Sequence, residues 1–238
     1  MKKFLALTAI LLAILAALCE AVVPSTVESI LREQIVNSTS ATAVDVSLSS
    51  SPNFRIALGE IDKIHATAAA GRIGEIDFKN LTLDGEKIRL DILSILFPNK
   101  DLTAQELNKR ILKHADKIEL RGIITEDELK KFIVDKGDNF EEPQVSIKPE
   151  GASATARVKF FGRKVDLDVA GNFLVNDGTI YFHMTRLNSN SILSRVNIDS
   201  FMSDIKVLDS ANLPLGLKFD SVELREGEAV ITAVSTVK

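Results

Sequence analysis

The 238-residue chain has no tryptophan, one tyrosine, one cysteine and three histidines. The lone cysteine is Cys19, close to the N-terminus, so an intrachain disulfide is excluded and the body of the chain has no thiol chemistry. His65, His114 and His183 lie far apart, with no HExxH, no cysteine partner and no spacing that suits a metal. A GxSxG elbow, a Walker loop and a dinucleotide-binding glycine motif are missing as well. So is a basic excess: 29 Lys and Arg stand against 33 Asp and Glu, a formal charge of −4 that argues against a nucleic-acid partner. Asp166 and Asp168 share a strand face, as paired catalytic carboxylates would. They alternate with Val165, Leu167 and Val169, however, and a solvated outer face accounts for them better. Asp62, Asp77, Asp84 and Asp91 read the same way. No catalytic residue, metal ligand or cofactor site emerges, and an enzyme is not expected.

The chain's longest apolar run is short. Lys2 and Lys3 precede Phe4 to Cys19, a run of 16 residues. As a helix it would be about 24 Å long, below the roughly 30 Å hydrocarbon core of a bilayer. Cys19-Glu20-Ala21 puts small residues at both positions that a signal peptidase reads, which predicts cleavage after Ala21. Leu18 occupies the position where a lipoprotein needs a small residue. Val22 and Val23 extend the run past Glu20, so a retained anchor is the alternative. Residues 1–21 thus read as a signal peptide or N-terminal membrane anchor, and 22–238 as a single domain. The expected location is the cell envelope, on the extracytoplasmic face of the membrane, or secretion. Without residues 1–21 the formal charge is −5.

Three capping boxes, Ser25-x-x-Glu28, Thr103-x-x-Glu106 and Thr125-x-x-Glu128, each precede a helical stripe. The stripes are Val27, Ile30, Leu31 and Ile35; Leu107, Ile111 and Leu112; and Leu129, Phe132 and Ile133. A further helix is expected around Ile198 to Ile205, and His114 falls on a helix. Nearly everything else carries period-two runs: VDVSLSS, FRIALGEIDKIHATA, GEIDFKNLTLDGEKIRLDIL, QVSIKPE, SATARVKFFGRKVDLDVAGNFLV, GTIYFHMT and LGLKFDSVELREGEAVITA. With no βαβ rhythm, the fold class is α+β, an antiparallel sheet with a few helices packed on it. Asp138 to Pro143 reads as a loop. Gly171, inside an overlong strand, predicts a bulge or bend. So does the phase shift at Asp220-Ser221, after which Val222 and Leu224 continue the apolar set of Leu215, Leu217 and Phe219.

If Phe161-Gly162 is a two-residue turn, Arg157 lies opposite Asp166 and Val158 opposite Val165. Val158, Phe160, Val165, Leu167 and Val169 then share one apolar face. The same register sets Lys159 opposite Lys164, beside Arg163. Like charges so placed repel. Either solvent screens them at an exposed hairpin end, or a tip made of Lys159, Phe161, Arg163 and Lys164 meets anionic lipid head groups.

Three blocks resemble the LmeA-type phospholipid-binding family of bacterial envelope proteins: GEIDKIHATAAAGRIGEIDFKNLTL (59–83), ARVKFFGRKVDLDVAGNFLV (156–175) and LPLGLKFDSVELREGEAVITA (213–233). The resemblance covers about Ser25 to Ala233. It implies a fold akin to the tubular lipid-binding proteins of the bactericidal/permeability-increasing group. There a long, strongly curved antiparallel β-sheet, half-barrel to barrel, wraps around helical elements and leaves an apolar cavity for acyl chains. It implies no catalytic residues. Periodicity alone does not separate such a cavity from a packed core. On the resemblance, Val158, Phe160, Val165, Leu167, Val169, Phe173, Leu215, Leu217 and Phe219 line the lipid site. The expected partners are phospholipid and a membrane surface, the protein partner being unknown. The alternative is an envelope scaffold with a fully packed core that binds a protein.

Overall fold

Helix α1 covers 22–33 and continues over 35–37, because Val23, Val27, Leu31 and Ile35 recur every four residues and pack as one stripe against the core. It is already helical at Val22, three residues before the expected cap. Ser25 Oγ therefore donates backwards to the Val22 carbonyl (3.0 Å), and Glu28 accepts the backbone N–H of Leu48 (2.8 Å) instead of closing a capping box. Helix α2, Glu126–Asp135, keeps its box: Thr125 N–H donates to Glu128 Oε2 at 2.9 Å. Glu126, Asp127 and Glu128 crowd its first turn, where the helix dipole favours them.

The computed structural model describes residues 22–33, 35–37, 39–91, 112–135, 140–160, 163–189 and 204–235, without the side chains of Phe140, Val158, Lys159, Phe160, Arg163 and Pro214. The box at Thr103 and Glu106, with Leu107 and Ile111, lies outside them, as does most of the segment expected to be helical around Ile198.

Twelve strands are described: β1 Ala43–Ser49, β2 Glu60–Ile73, β3 Ile76–Leu90, β4 Leu112–His114, β5 Lys117–Thr125, β6 Phe140–Lys148, β7 Gly151–Phe160, β8 Arg163–Asn176, β9 Thr179–Ser189, β10 Ile205–Leu208, β11 Lys218–Arg225 and β12 Glu228–Val234. They bear out the α+β, antiparallel reading, curled as a half-barrel with few short helices. Hydrogen bonding divides them into two sheets, ordered β1-β2-β3-β5-β12-β11, with β4 on β3, and β10-β9-β8-β7-β6. The expectation of one continuous sheet is corrected here. The sheets meet at β11 and β12, where Phe219 N–H donates to the Gly178 carbonyl (3.3 Å) and Gly227 N–H to that of Ile147 (2.9 Å). One core spans both: Ile56, Ile61, Ile76, Phe78, Ile118, Ile147, Ile180, Leu208, Leu213 and Leu217 are essentially inaccessible.

Several local expectations change. Leu112 and His114 sit on β4 rather than a helix, and Ile205 to Leu208 form β10. Phe54 to Leu58 belong to a 3-10 turn, Asn53–Leu58, and not to a strand. Leu215 lies in a 3-10 turn with φ 56°, so β11 begins only at Lys218. Pro143 is inside β6, at a register shift between Glu141 and Gln144, where a missing N–H costs no ladder bond.

Strands β2, β3 and β8 run 14, 15 and 14 residues, beyond the usual length, and β2 and β3 stay buried on one side by changing phase. In β3 the buried set passes from Ile76 and Phe78 to Leu81 and Gly85, then to Ile88 and Leu90. The expected breaks are both present. β8 and β9 slip between Ala170 and Gly171, and β11 and β12 slip between Phe219 and Ser221. Gly171 has a steric reason: a Cβ there would collide with the His183 carbonyl and come 2.8 Å from Phe182 Cζ.

Surface carboxylates are held by cations on neighbouring positions. The Arg72 hydrogen bond (2.6 Å) keeps Asp77 below the ordinary carboxylate range, and Lys117, with Arg121, does the same for Glu119. Groups depressed on folding add stability above their unfolded pKa values and lose it as pH falls through the folded ones. Thermal stability should therefore stay flat from neutral pH down to about 5 and fall below about 4. Thermal melts across pH check this; a rise on acidification would contradict it.

Candidate functional site

The second sheet has two unlike faces. On one, the registers of β6 to β9 line up Ile147, Ala152, Gly171 and Met184 in one row. The next row is Val145, Ala154, Val169 and Leu187, and the one after it holds Ala156, Leu167 and Ser189. Val165 follows, opposite Val158. Burial changes along this series. Ile147 is 0% exposed and joins the main core, Ala154, Ala156, Leu167, Val169 and Leu187 are only half-buried, and Val165 at the far end is buried again at 6%. The three alternate alanines of β7 lie beside larger side chains, Ala152 beside Ile147, Ala154 between Val145 and Val169, and Ala156 beside Leu167. They form a shallow apolar trough of about 13 Å from Ala152 to Ala156.

The nine residues expected to line a lipid site thus divide. Leu217 and Phe219 are 1% and 4% exposed within the packed core, and Leu215 and Phe173 pack against it. Phe173 also meets Phe182 edge-on, ring centres 5.3 Å apart. The space beside Phe173, between α2 and the two sheets, is about 10 Å³ and is walled by Ile124, Leu129, Ile180 and Val222 among others. That is at most room for a single water and far too small for an acyl chain. Val165, Leu167 and Val169 lie apart from that core, on the trough side. The side chains of Val158 and Phe160 are outside the described structure. Sequence reasoning missed Ala154, Ala156 and Leu187, although the alternate alanines of SATARV carried the signal.

The hairpin register is as expected: Arg157 opposite Asp166, Val158 opposite Val165, Lys159 opposite Lys164 and Phe160 opposite Arg163. Arg157 Nε donates to Asp166 Oδ1 at 3.0 Å, and the carboxylate raises the guanidinium pKa. Lys164 Nζ reaches Glu141 Oε2 at 2.7 Å, so a carboxylate of the protein's own compensates it. Phe161 lies outside the described residues, as do the side chains of Lys159 and Arg163. At this end of the sheet an open cleft of about 440 Å³ is lined by the polar Glu141, Glu142, Arg157, Asp166 and Asp168 and also by Ala156, Leu167 and Ser189 of the apolar rows. Asp168 pairs there with Arg186 at 3.4 Å.

Each histidine stands at the surface beside one aspartate: His65 with Asp84 (2.7 Å), His114 with Asp116 (3.2 Å) and His183 with Asp204 (2.7 Å). Among the described residues no three His, Cys, Asp or Glu side chains are grouped to hold a metal. The feature that stands out chemically is the half-buried apolar trough of the second sheet.

No curated protein and no solved structure matches the chain. The description of the LmeA-like phospholipid-binding family fits residues 15–234, almost the whole length and all of both sheets, and the chain belongs to that family.

Proposed function

We propose that this is an exported, non-catalytic protein that holds phospholipid acyl chains along the trough of the second sheet. The supporting observation is the half-buried stretch of Ala154, Ala156, Leu167, Val169 and Leu187 on an apolar face, between the buried Ile147 and Val165, in a family described as phospholipid-binding. Each methylene moved out of water onto that face contributes about 0.8 kcal/mol, so chain burial supplies the affinity. Val165, Leu167 and Val169, with Ala154, Ala156 and Leu187, are the residues we place against the chain. Lys159, Arg163 and Lys164, the last also reaching Glu141, are the cations we place by an anionic head group, with Phe161 at the membrane surface.

Native mass spectrometry of gently purified protein tests this directly. We expect mass increments of one or more phospholipids that organic extraction removes. Lipid-free protein from several hosts, still empty after liposome challenge, would favour a protein-binding scaffold. Export has its own test. N-terminal sequencing of envelope fractions should find Val22 first, or the intact N-terminus if the anchor is retained; intact protein in the cytosol would defeat both.

A further inference from the structure

We propose that the turn Asn53–Leu58 is a membrane-docking wedge that sets Phe54 and Leu58 into the interfacial region of a phospholipid bilayer. Phe54 is 45% exposed and Leu58 67%. Single exposed apolar residues are ordinary on a protein surface, but these two project from one six-residue turn. The turn is braced. Ile56 between them is 0% exposed. Arg55 Nε donates to Glu60 Oε2 at 3.0 Å, its Nη1 donates to the Ser51 carbonyl at 3.2 Å, and Ser51 N–H donates to Asp62 Oδ2 at 2.9 Å. The two side chains are therefore displayed by a fixed backbone.

The placement of α1 identifies the occupant. Glu28 bonds to Leu48 and Arg32 lies 3.6 Å from Asp45, so α1 runs antiparallel to β1. Going back along α1 to Val22 and going forward past Ser49 into the turn lead to the same end of the molecule. Val22 is itself 54% exposed, and the apolar run Phe4 to Cys19 directly precedes it in the sequence. With the anchor retained, the segment addressed to a membrane enters the fold at the end that carries Phe54 and Leu58, which selects a bilayer over a protein as the partner.

Among the described residues, charge at this end is paired. Arg55 and Arg89 share Glu60, Lys87 pairs with Asp116, and Lys113 with Asp91. Contact there rests on apolar insertion, unlike the basic hairpin tip, and needs no anionic lipid. The inference deepens the lipid reading by naming where the protein meets the membrane, and rests on that reading only for the class of ligand.

The test uses protein purified from the envelope with the N-terminus it carries there, in a Cys19→Ser background. A solvent-sensitive fluorophore is attached at Leu58→Cys or, as control, at the exposed Val134→Cys on α2. Vesicles are of phosphatidylcholine alone, or mixed with phosphatidylglycerol, with acyl-brominated lipid as quencher. At position 58 we expect a blue shift and quenching on both vesicle types, unchanged by added salt, and neither effect at 134. Phe54→Ser should reduce the quenching at 58 several-fold while leaving circular dichroism and copurified lipid unchanged. No quenching at 58, equal quenching at both sites, or no effect of Phe54→Ser would overturn the wedge. Quenching at 58 in a protein that never carries lipid would keep the wedge and defeat the trough.

Discussion

Leu167→Glu is expected to leave a folded protein that has lost its lipid, whereas Leu217→Glu should give no folded protein at all. In the sequence the two leucines read as equivalent members of an apolar face. In the structure Leu217 is 1% exposed inside the core that joins both sheets. A carboxylate there is an unpaired charge in a close-packed interior, and either its desolvation or its protonation opposes folding. Leu167 is half-buried and, with Ala156 and Ser189, lines part of the open cleft at that end of the sheet. A glutamate at that position can reach water by rotating, so the stability cost stays at roughly 1–2 kcal/mol. The acyl chain loses more. Forfeiting contact with three methylenes alone is about 2.4 kcal/mol, or roughly fiftyfold in affinity. Thermal melts and native mass spectra of the two variants check both arms. A folded Leu167→Glu protein with wild-type lipid occupancy would remove the trough as the binding face. Collapse of both variants would show that the second sheet is as dry as the first.

The same pair shows what was legible in the sequence. Hairpin β7–β8 was readable to the residue, because a Gly-containing turn, strict alternation and an Arg-Asp pair all fix one register. The bulge at Asp220 was readable as a slip in phase. Which apolar face meets which was not, since period two describes a strand and carries no information about its partner. The split into two sheets, and the different burial of Leu167 and Leu217, are consequences of distant pairings such as Gly227 with Ile147. The N-terminal capping box was misread because Glu28 has a better use, the edge N–H of Leu48. Strand β5 was overlooked because the helical stripe expected from Leu107 to Leu112 drew the segment towards α-helix. Ile118, Leu120, Gly122 and Ile124 nevertheless alternate cleanly, and all four are buried.

That overlooked strand is central in the first sheet, paired with β3 on one side and β12 on the other, and Gly122 is where it can be tested most sharply. A Cβ at Gly122 would stand 2.5 Å from Phe78 Cε1 and 3.1 Å from Leu81 Cδ2. Phe78 is 2% exposed, so its ring has nowhere to retreat. Gly122→Ala should therefore destabilise by about 3 kcal/mol despite the better strand propensity of alanine, lowering Tm by about 6–12 °C in a domain of this size. Phe78→Leu alone should cost about 1–2 kcal/mol for the space it opens. The double variant should be no worse than Gly122→Ala alone, because the new methyl fills part of what the ring vacates. That leaves a coupling of about 1 kcal/mol or more between the two sites. Denaturant titrations of the four proteins measure it. Simple additivity would mean that the Phe78 ring does not lie on Gly122, and would remove β5 from its place beside β3.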